Sequence, residues 1–317
     1  MHRSLRKFLL VLAVGLLLTF TAATLFAGGG AEKKGYKIGL SMHFMRDDYA
    51  LNCVEAVKAV AAKFPGSTVI ATDANANPPK QLADMENLIA QGVDAIIVVP
   101  FDEKAILPAI ETANKKNIPV IAITYIPNAK VATTVAASGD YENGKATGEL
   151  LIKKMGGKGK LAVIDLGFSL WRIDQRIEGF MDAIKGTNIE IVARQSGADQ
   201  ADIQNKVAGI LAAHPDLNAV WATFSNQIVA ASDALRAANR KDVLLSGIDA
   251  DKAIIERIKE GWITGTAAQF PKEHGRLAAE AAFAVLQGKK VAEKYDVPVG
   301  IVTAENADEM NAKIWGK

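Results

Sequence analysis

Cysteine is almost missing from this 317-residue chain: Cys53 stands alone, so no intramolecular disulfide can form. A chain of this length can bury a core without cross-links, so the single thiol excludes no compartment. Cys53 sits beside Val54 and Val57 in a helical pattern and reads as a buried structural thiol. Histidine is sparse too. His2, His43, His214 and His274 are scattered, and none has metal-ligand spacing. Neither sign of charge is in excess, with 37 Lys and Arg against 35 Asp and Glu. Residues 1–27 hold Arg3, Arg6 and Lys7 and no acid, so removing them turns the formal charge from +2 to −1. That leaves no basic face for nucleic acid. Catalytic motifs are missing as well. Gly167-Phe168-Ser169 lacks the flanking glycines of a nucleophile elbow. Gly156-Gly157-Lys158-Gly159 follows a helical stretch and precedes a strand, the reverse of a phosphate loop. The chain therefore reads as a binder: not an enzyme, with no catalytic residue, no metal and no cofactor.

A long apolar run occurs once, near the start. Residues 1–7 carry the three basic residues, 8–18 are almost wholly apolar, and 19–27 are small and weakly polar. This is the order of a secretory signal peptide, and the apolar part is short for a membrane span of ~20 residues. We expect residues 1–27 to be a signal peptide and 28–35 a flexible tether. No cysteine lies near this boundary, so a lipid anchor is not expected and the mature protein is placed in the periplasm. A retained membrane anchor is the alternative.

From residue 36 short apolar runs alternate with amphipathic segments. Strands are expected at 37–41, 68–72, 95–99 and 119–123, with helices at 48–64, 78–91 and 104–116. The alternation restarts after Ser138, with strands at 160–166, 190–194, 219–223, 243–247 and 264–269. Helices are expected there at 141–155, 171–185, 202–214, 226–238, 253–259 and 272–286. Strand–helix–strand repetition means doubly wound parallel sheets, so the fold class is α/β with two similar halves facing across a cleft.

Ligands of open parallel sheets bind beyond the carboxyl ends of the strands. Those ends carry Asp47, Asp48, Tyr49, Phe101, Tyr125, Asp140, Trp171, Phe224, Asn226, Asp249 and Gln269, and Arg176 lies near one helix start. Carboxylates, amides and an arginine bond hydroxyls in pairs, and aromatic rings pack on the apolar face of a sugar ring. Each has a plainer reading. Asp47, Asp48 and Asp249 can cap helices, Tyr49 and Trp171 can be core, and Gln269 can be a surface residue. Arg176 lies one position off the stripe Ile173, Ile177, Phe180 and Ile184, so it is expected to lean out toward the cleft or to pair with Asp249 or Glu178.

The run Gln81-Leu82-Ala83, Leu88-Ile89-Ala90-Gln91-Gly92-Val93-Asp94-Ala95-Ile96-Ile97-Val98-Val99-Pro100 and then Asn117-Ile118-Pro119-Val120 resembles the periplasmic ribose-binding protein group. These are the type I sugar-binding proteins of ABC importers. Arg176-Ile177-Glu178-Gly179-Phe180, His214-Pro215-Asp216, Gly247-Ile248-Asp249 and Ala268-Gln269-Phe270-Pro271 extend the likeness over nearly all of residues 36–317. The resemblance implies two lobes, 36–138 plus 270–298 and 139–269 plus 299–317, joined by three hinge crossings near Ser138, Gln269 and Pro298. It implies that Arg176, Asp249 and Gln269 bond sugar hydroxyls and that Tyr49 fills an aromatic position. It also implies a monomer that binds a small sugar or polyol, delivers it to permease subunits and can serve a chemoreceptor. The alternative is a membrane-anchored or receptor-docking sugar sensor. Thr124-Tyr125, Val99, Phe224 and Ala198 depart from the ribose binders' residues, which implies a ligand other than ribose.

Overall fold

The protein is described here by a computed structural model covering residues 35–135 and 139–316. The expected signal peptide, the tether apart from Gly35, and the crossing at Ser138 lie outside the described residues. The first half runs β1 (Lys37–Met42), α1 (Asp48–Ala61), β2 (Thr68–Asp73), α2 (Pro78–Ala90), β3 (Ala95–Val98), α3 (Leu107–Lys115), β4 (Val120–Ile123) and β5 (Thr133–Val135). The second runs α4 (Gly139–Met155), β6 (Lys158–Asp165), α5 (Trp171–Ile184), β7 (Asn188–Ser196), α6 (Gln200–Ala213) and β8 (Ala219–Ala222). It continues through α7 (Ser225–Ala237), β9 (Leu244–Ile248), α8 (Lys252–Lys259) and β10 (Gly265–Ala268). The chain ends with α9 (Pro271–Leu286), β11 (Lys294–Tyr295), β12 (Gly300–Val302) and α10 (Ala307–Trp315).

Two six-stranded sheets result, ordered β2-β1-β3-β4-β5-β11 and β7-β6-β8-β9-β10-β12. Five strands follow the same order in each. The sixth differs: β11 runs parallel to β5, whereas β12 runs antiparallel to β10. The chain crosses between sheets three times, after β5, after β10 and between β11 and β12.

Alternation within the strands divides each core in two. In β3, Ala95 and Ile97 pack with Leu40, Val57 and Phe283 on one face, while Ile96 and Val98 pack with Met85 and Ile110 on the other. In β8, Val220 and Ala222 likewise face away from Ala219 and Trp221. Strands buried on both faces explain the unbroken apolar runs in the sequence. Trp221 stacks on Phe180 at 4.1 Å and satisfies its indole N–H on Thr147 Oγ1 at 2.9 Å.

Two buried glutamines do equivalent work in the two lobes. Gln81 of α2 donates to Val99 O and accepts from Phe101 N, at 2.9 and 2.8 Å. Gln227 of α7 donates to Asp165 O and Gly197 O, at 2.7 and 2.8 Å, and accepts from Thr223 N. Each helix side chain thus holds the backbone where strands become loops.

Some elements differ from expectation. The helix expected from 104 begins at Leu107, because Asp102 Oδ1 accepts from Lys104 N and Ala105 N and holds a turn there. The strands β5, β11 and β12, of three, two and three residues, are too short to carry a readable period.

Candidate functional site

Both sheets reverse their strand order between the first and third strands, at β1/β3 and at β6/β8. Such switch points open a crevice at the carboxyl ends of the strands. The two crevices face each other and line one cavity of about 400 Å³. His43, Phe44, Val99 and Phe101 line it from the first lobe. Leu166, Arg172, Arg176 and Phe224 line it from the second.

Nine of the residues singled out from sequence reach this cavity: Asp47, Tyr49, Phe101, Asp140, Arg176, Phe224, Asn226, Asp249 and Gln269. Asp48, Tyr125 and Trp171 do not line it. Asp48 lies in the first turn of α1 and pairs with Lys252 Nζ at 3.4 Å. Tyr125 is exposed, and its ring meets that of Trp171 at 5.7 Å. Of the two adjacent aspartates, Asp47 is the one that caps, accepting from Ala50 N at 2.8 Å, and it faces the cavity as well.

Arg176 lines the cavity yet is only 4% exposed. Its Nε donates to Asp140 Oδ1 at 2.8 Å, its Nη1 donates to Thr223 O at 2.9 Å, and Asp249 Oδ1 is 4.0 Å away. Glu178 is not its partner; that carboxylate accepts from Gln175. The helices that carry the pair approach closely. A Cβ at Gly144 of α4 would lie 1.9 Å from Arg176 O, and one at Gly179 of α5 would lie 2.0 Å from Tyr141 O. Only glycine permits this spacing.

The pair belongs to a longer polar chain. Thr124 Oγ1 donates to Asp140 Oδ2 at 3.0 Å, and Gln269 Nε2 donates to Asp249 Oδ1 at 2.7 Å. Asp249 Oδ2 also accepts from Ser225 N at 3.0 Å, so it caps α7 rather than the helix that follows it. Gln269 thereby ties the crossing after β10 to the cavity wall. Thr124 and Asp249 have φ of 75° and 96°, a region that costs a non-glycine residue on the order of 1–3 kcal/mol. Both lie at strand ends on the cavity wall.

Sequence reasoning missed Arg172 and Asp251. Arg172 Nη1 donates to Phe101 O and Pro100 O at 2.6 and 3.2 Å and lies 3.6 Å from buried Glu103. Its position beside Trp171 at a strand end was the available signal. Asp251 accepts from Ser225 Oγ. Burial pushes the Asp47 and Asp251 carboxyls up to about 6, and the negative charge of Asp249 adds to both shifts. Burial also pushes His43 down to about 3, helped by Arg172 and Arg176, so its ring is neutral. Burial disfavours the Arg176 charge, but Asp140 and Asp249 outweigh it and raise its pKa. Among the described residues no set of three His, Cys, Asp or Glu side chains is placed to hold a metal.

Comparison with known proteins agrees with this geometry. The family profile described as a periplasmic binding protein domain matches residues 38–290. The chain is 32% identical to the ribose import binding protein of Bacillus subtilis over 275 residues, covering 86% of this chain and 88% of that one. It is 30% identical to the ribose import binding protein of Escherichia coli over 273 residues, covering 84% and 90%. Among solved structures, an ABC transporter solute-binding protein from Bacillus halodurans with bound myo-inositol superposes with a TM-score of 0.83. That pair is 27% identical and covers 89% and 99% of the two chains.

Proposed function

Because the chain belongs to the periplasmic binding protein family, we propose that it is the solute-capturing component of an ABC-type importer. It holds a small sugar or polyol between its lobes and hands it to the membrane permease. Its role is binding without chemistry, as in its family. The observation that carries this reading is the cavity of about 400 Å³ between two sets of strand ends. That size falls in the ~300–1,000 Å³ range of small-molecule sites. Its walls combine aromatic rings with charged and amide groups, the mixture that hydroxyl-rich rings require.

Asp47, Tyr49, Phe101, Asp140, Arg176, Phe224, Asn226, Asp249 and Gln269 form the ligand-facing set in this proposal. The lobes comprise residues 36–138 plus 270–298 and 139–269 plus 299–317, a division supported by which sheet each strand joins. Export by a signal peptide at residues 1–27 and work in the periplasm as a monomer complete it, supported by the basic-then-apolar order of that segment. Among the described residues, no helix is long and apolar enough to cross a membrane. Val99, Thr124 and Ala198 line the cavity where ribose binders carry polar or aromatic groups, which supports a ligand other than ribose.

A thermal-shift screen of the exported protein against sugars and polyols tests the proposal. A ligand that binds only the folded state raises the melting temperature by mass action. A flat response across the screen at millimolar concentrations would overturn it.

A further inference from the structure

Charges on the cavity wall are unequal in number. Asp47, Asp140, Asp249 and Asp251 line it against Arg172 and Arg176 alone. Both arginines are engaged within the protein. Arg176 is bonded to Asp140 at 2.8 Å, and Arg172 stands beside Glu103 and bonds two main-chain carbonyls of the first lobe. Asp47, Asp249 and Asp251 remain. Their close hydrogen bonds come from neutral donors: Ala50 N to Asp47, Ser225 N and Gln269 Nε2 to Asp249, and Ser225 Oγ to Asp251. Arg176 is 4.0 Å from Asp249, and Asp47 and Asp251 have no ion-pair partner among the described residues.

Geometry draws the three together across the cleft. Asp249 and Asp251 share Ser225 as donor, so they are neighbours on the second lobe. Asp47 belongs to the first lobe. Its chain neighbour Asp48 pairs with Lys252, the chain neighbour of Asp251, at 3.4 Å. That outer ion pair joins the two loops and occupies Lys252 with Asp48. A second feature points to a ligand. His43 is 8% exposed, lines the same cavity, and its Nδ1 has no hydrogen-bond partner.

We propose that the ligand carries a protonated amine: an amino sugar, amino polyol or aminocyclitol whose ammonium sits among Asp47, Asp249 and Asp251 and whose hydroxyls meet Arg176 and His43. An ammonium has three N–H donors and no acceptor, which matches three acceptor-only carboxylates. A cation there also offsets the repulsion among these carboxylates, which adds to burial in pushing Asp47 and Asp251 up to about 6. A neutral polyol can donate hydrogen bonds to these carboxylates but brings no opposing charge. The inference rests on the solute-capture reading and names the ligand class within it.

Calorimetry on the exported protein with matched probes tests it. The pairs are glucosamine and glucose, galactosamine and galactose, 1-amino-1-deoxyglucitol and glucitol, an inosamine and its inositol, and 1,4-dideoxy-1,4-iminoribitol and ribose. At least one amine should bind about tenfold or more tightly than its hydroxyl partner, and N-acetylation should abolish that advantage. Asp251→Asn should cut the amine-to-hydroxyl affinity ratio about tenfold. Asp47→Asn, on the other lobe, repeats the test if the first variant does not fold. If the neutral member of every pair binds as well as or better than the amine, the ammonium inference falls and solute capture stands. If no member of any pair binds, both fall.

Discussion

Arg172 of the second lobe is hydrogen-bonded to the main chain of the first, its Nη1 donating to Phe101 O at 2.6 Å. Parting of the lobes would break this bond, and the guanidinium also lies 5.5 Å from the Phe101 ring centroid. Charge-assisted bonds contribute roughly 1.5–3 kcal/mol, so Arg172→Ala should weaken ligand binding about ten- to a hundredfold by favouring the open state. Calorimetry measures the affinity. Small-angle scattering should show a larger radius of gyration at equal ligand saturation. A lower melting temperature with unchanged affinity would instead make Arg172 a support for Glu103 alone.

Arg176→Ala should have two effects together. It leaves Asp140 and Asp249 without their cation, which costs on the order of 3–5 kcal/mol when a buried pair is broken. It also removes the one cavity guanidinium among the described residues that is not bonded to the opposite lobe. Both the melting temperature and the affinity for the ligand found by thermal screening should fall. Lysine at this position should not restore them, because one ammonium cannot span Asp140 Oδ1 and Thr223 O as the planar fork does.

Gly179→Ala should destabilise the second lobe by several kcal/mol, since its methyl would meet Tyr141 O at 2.0 Å and force α4 and α5 apart. Separation of these helices also pulls Asp140 from Arg176. Urea unfolding should report the loss of stability. Gly209→Ala is the contrasting control, because nothing lies within 4 Å of a Cβ there.

Asp47 and Asp251 impose a pH dependence with a definite sign. Their folded-state pKa of about 6 is above the unfolded value of about 3.9, so the native state holds the extra protons. The stability they contribute is full below about pH 4 and is lost as pH rises through about 6. His43 and His274, pushed down to about 3 and 4 by burial, act in the opposite sense, being stabilising above about pH 6.5 and losing that as pH falls. The variant therefore isolates the aspartate. Asp251→Asn should gain stability over the parent progressively from pH 4 to pH 7, by on the order of 1–2 kcal/mol in all. Urea midpoints at stepped pH measure it.

Much of the architecture was legible because parallel strands buried on both faces write themselves as unbroken apolar runs, as in 95–98 and 120–123. The strand ends that form the cavity could be located from those runs. What escaped depended on relations between elements. Asp47 and Asp48 are adjacent in sequence, and only the direction of the α1 axis decides which one faces the cavity. Arg172 stands one residue from a singled-out tryptophan, yet the helix turns Trp171 outward toward Tyr125 and Arg172 across the cleft. Arg176 was expected off the core stripe, but burial is tolerated because Asp140, seventeen-residue α4's second residue, arrives beside it through the Gly144 contact. A partner from another helix leaves no period in the sequence.

The paired glutamines, Gln81 and Gln227, have a bearing on how such a protein can change over generations. Each grips main-chain atoms from behind the ligand-facing surface, so the loops keep their course whatever side chains they present. Residues such as Val99 and Phe224 are then free to be exchanged one at a time for different ligand chemistry while the frame persists. Descent with new specificities is cheap where scaffold and recognition are carried by different atoms, and here the backbone is held by two amides that do not line the cavity.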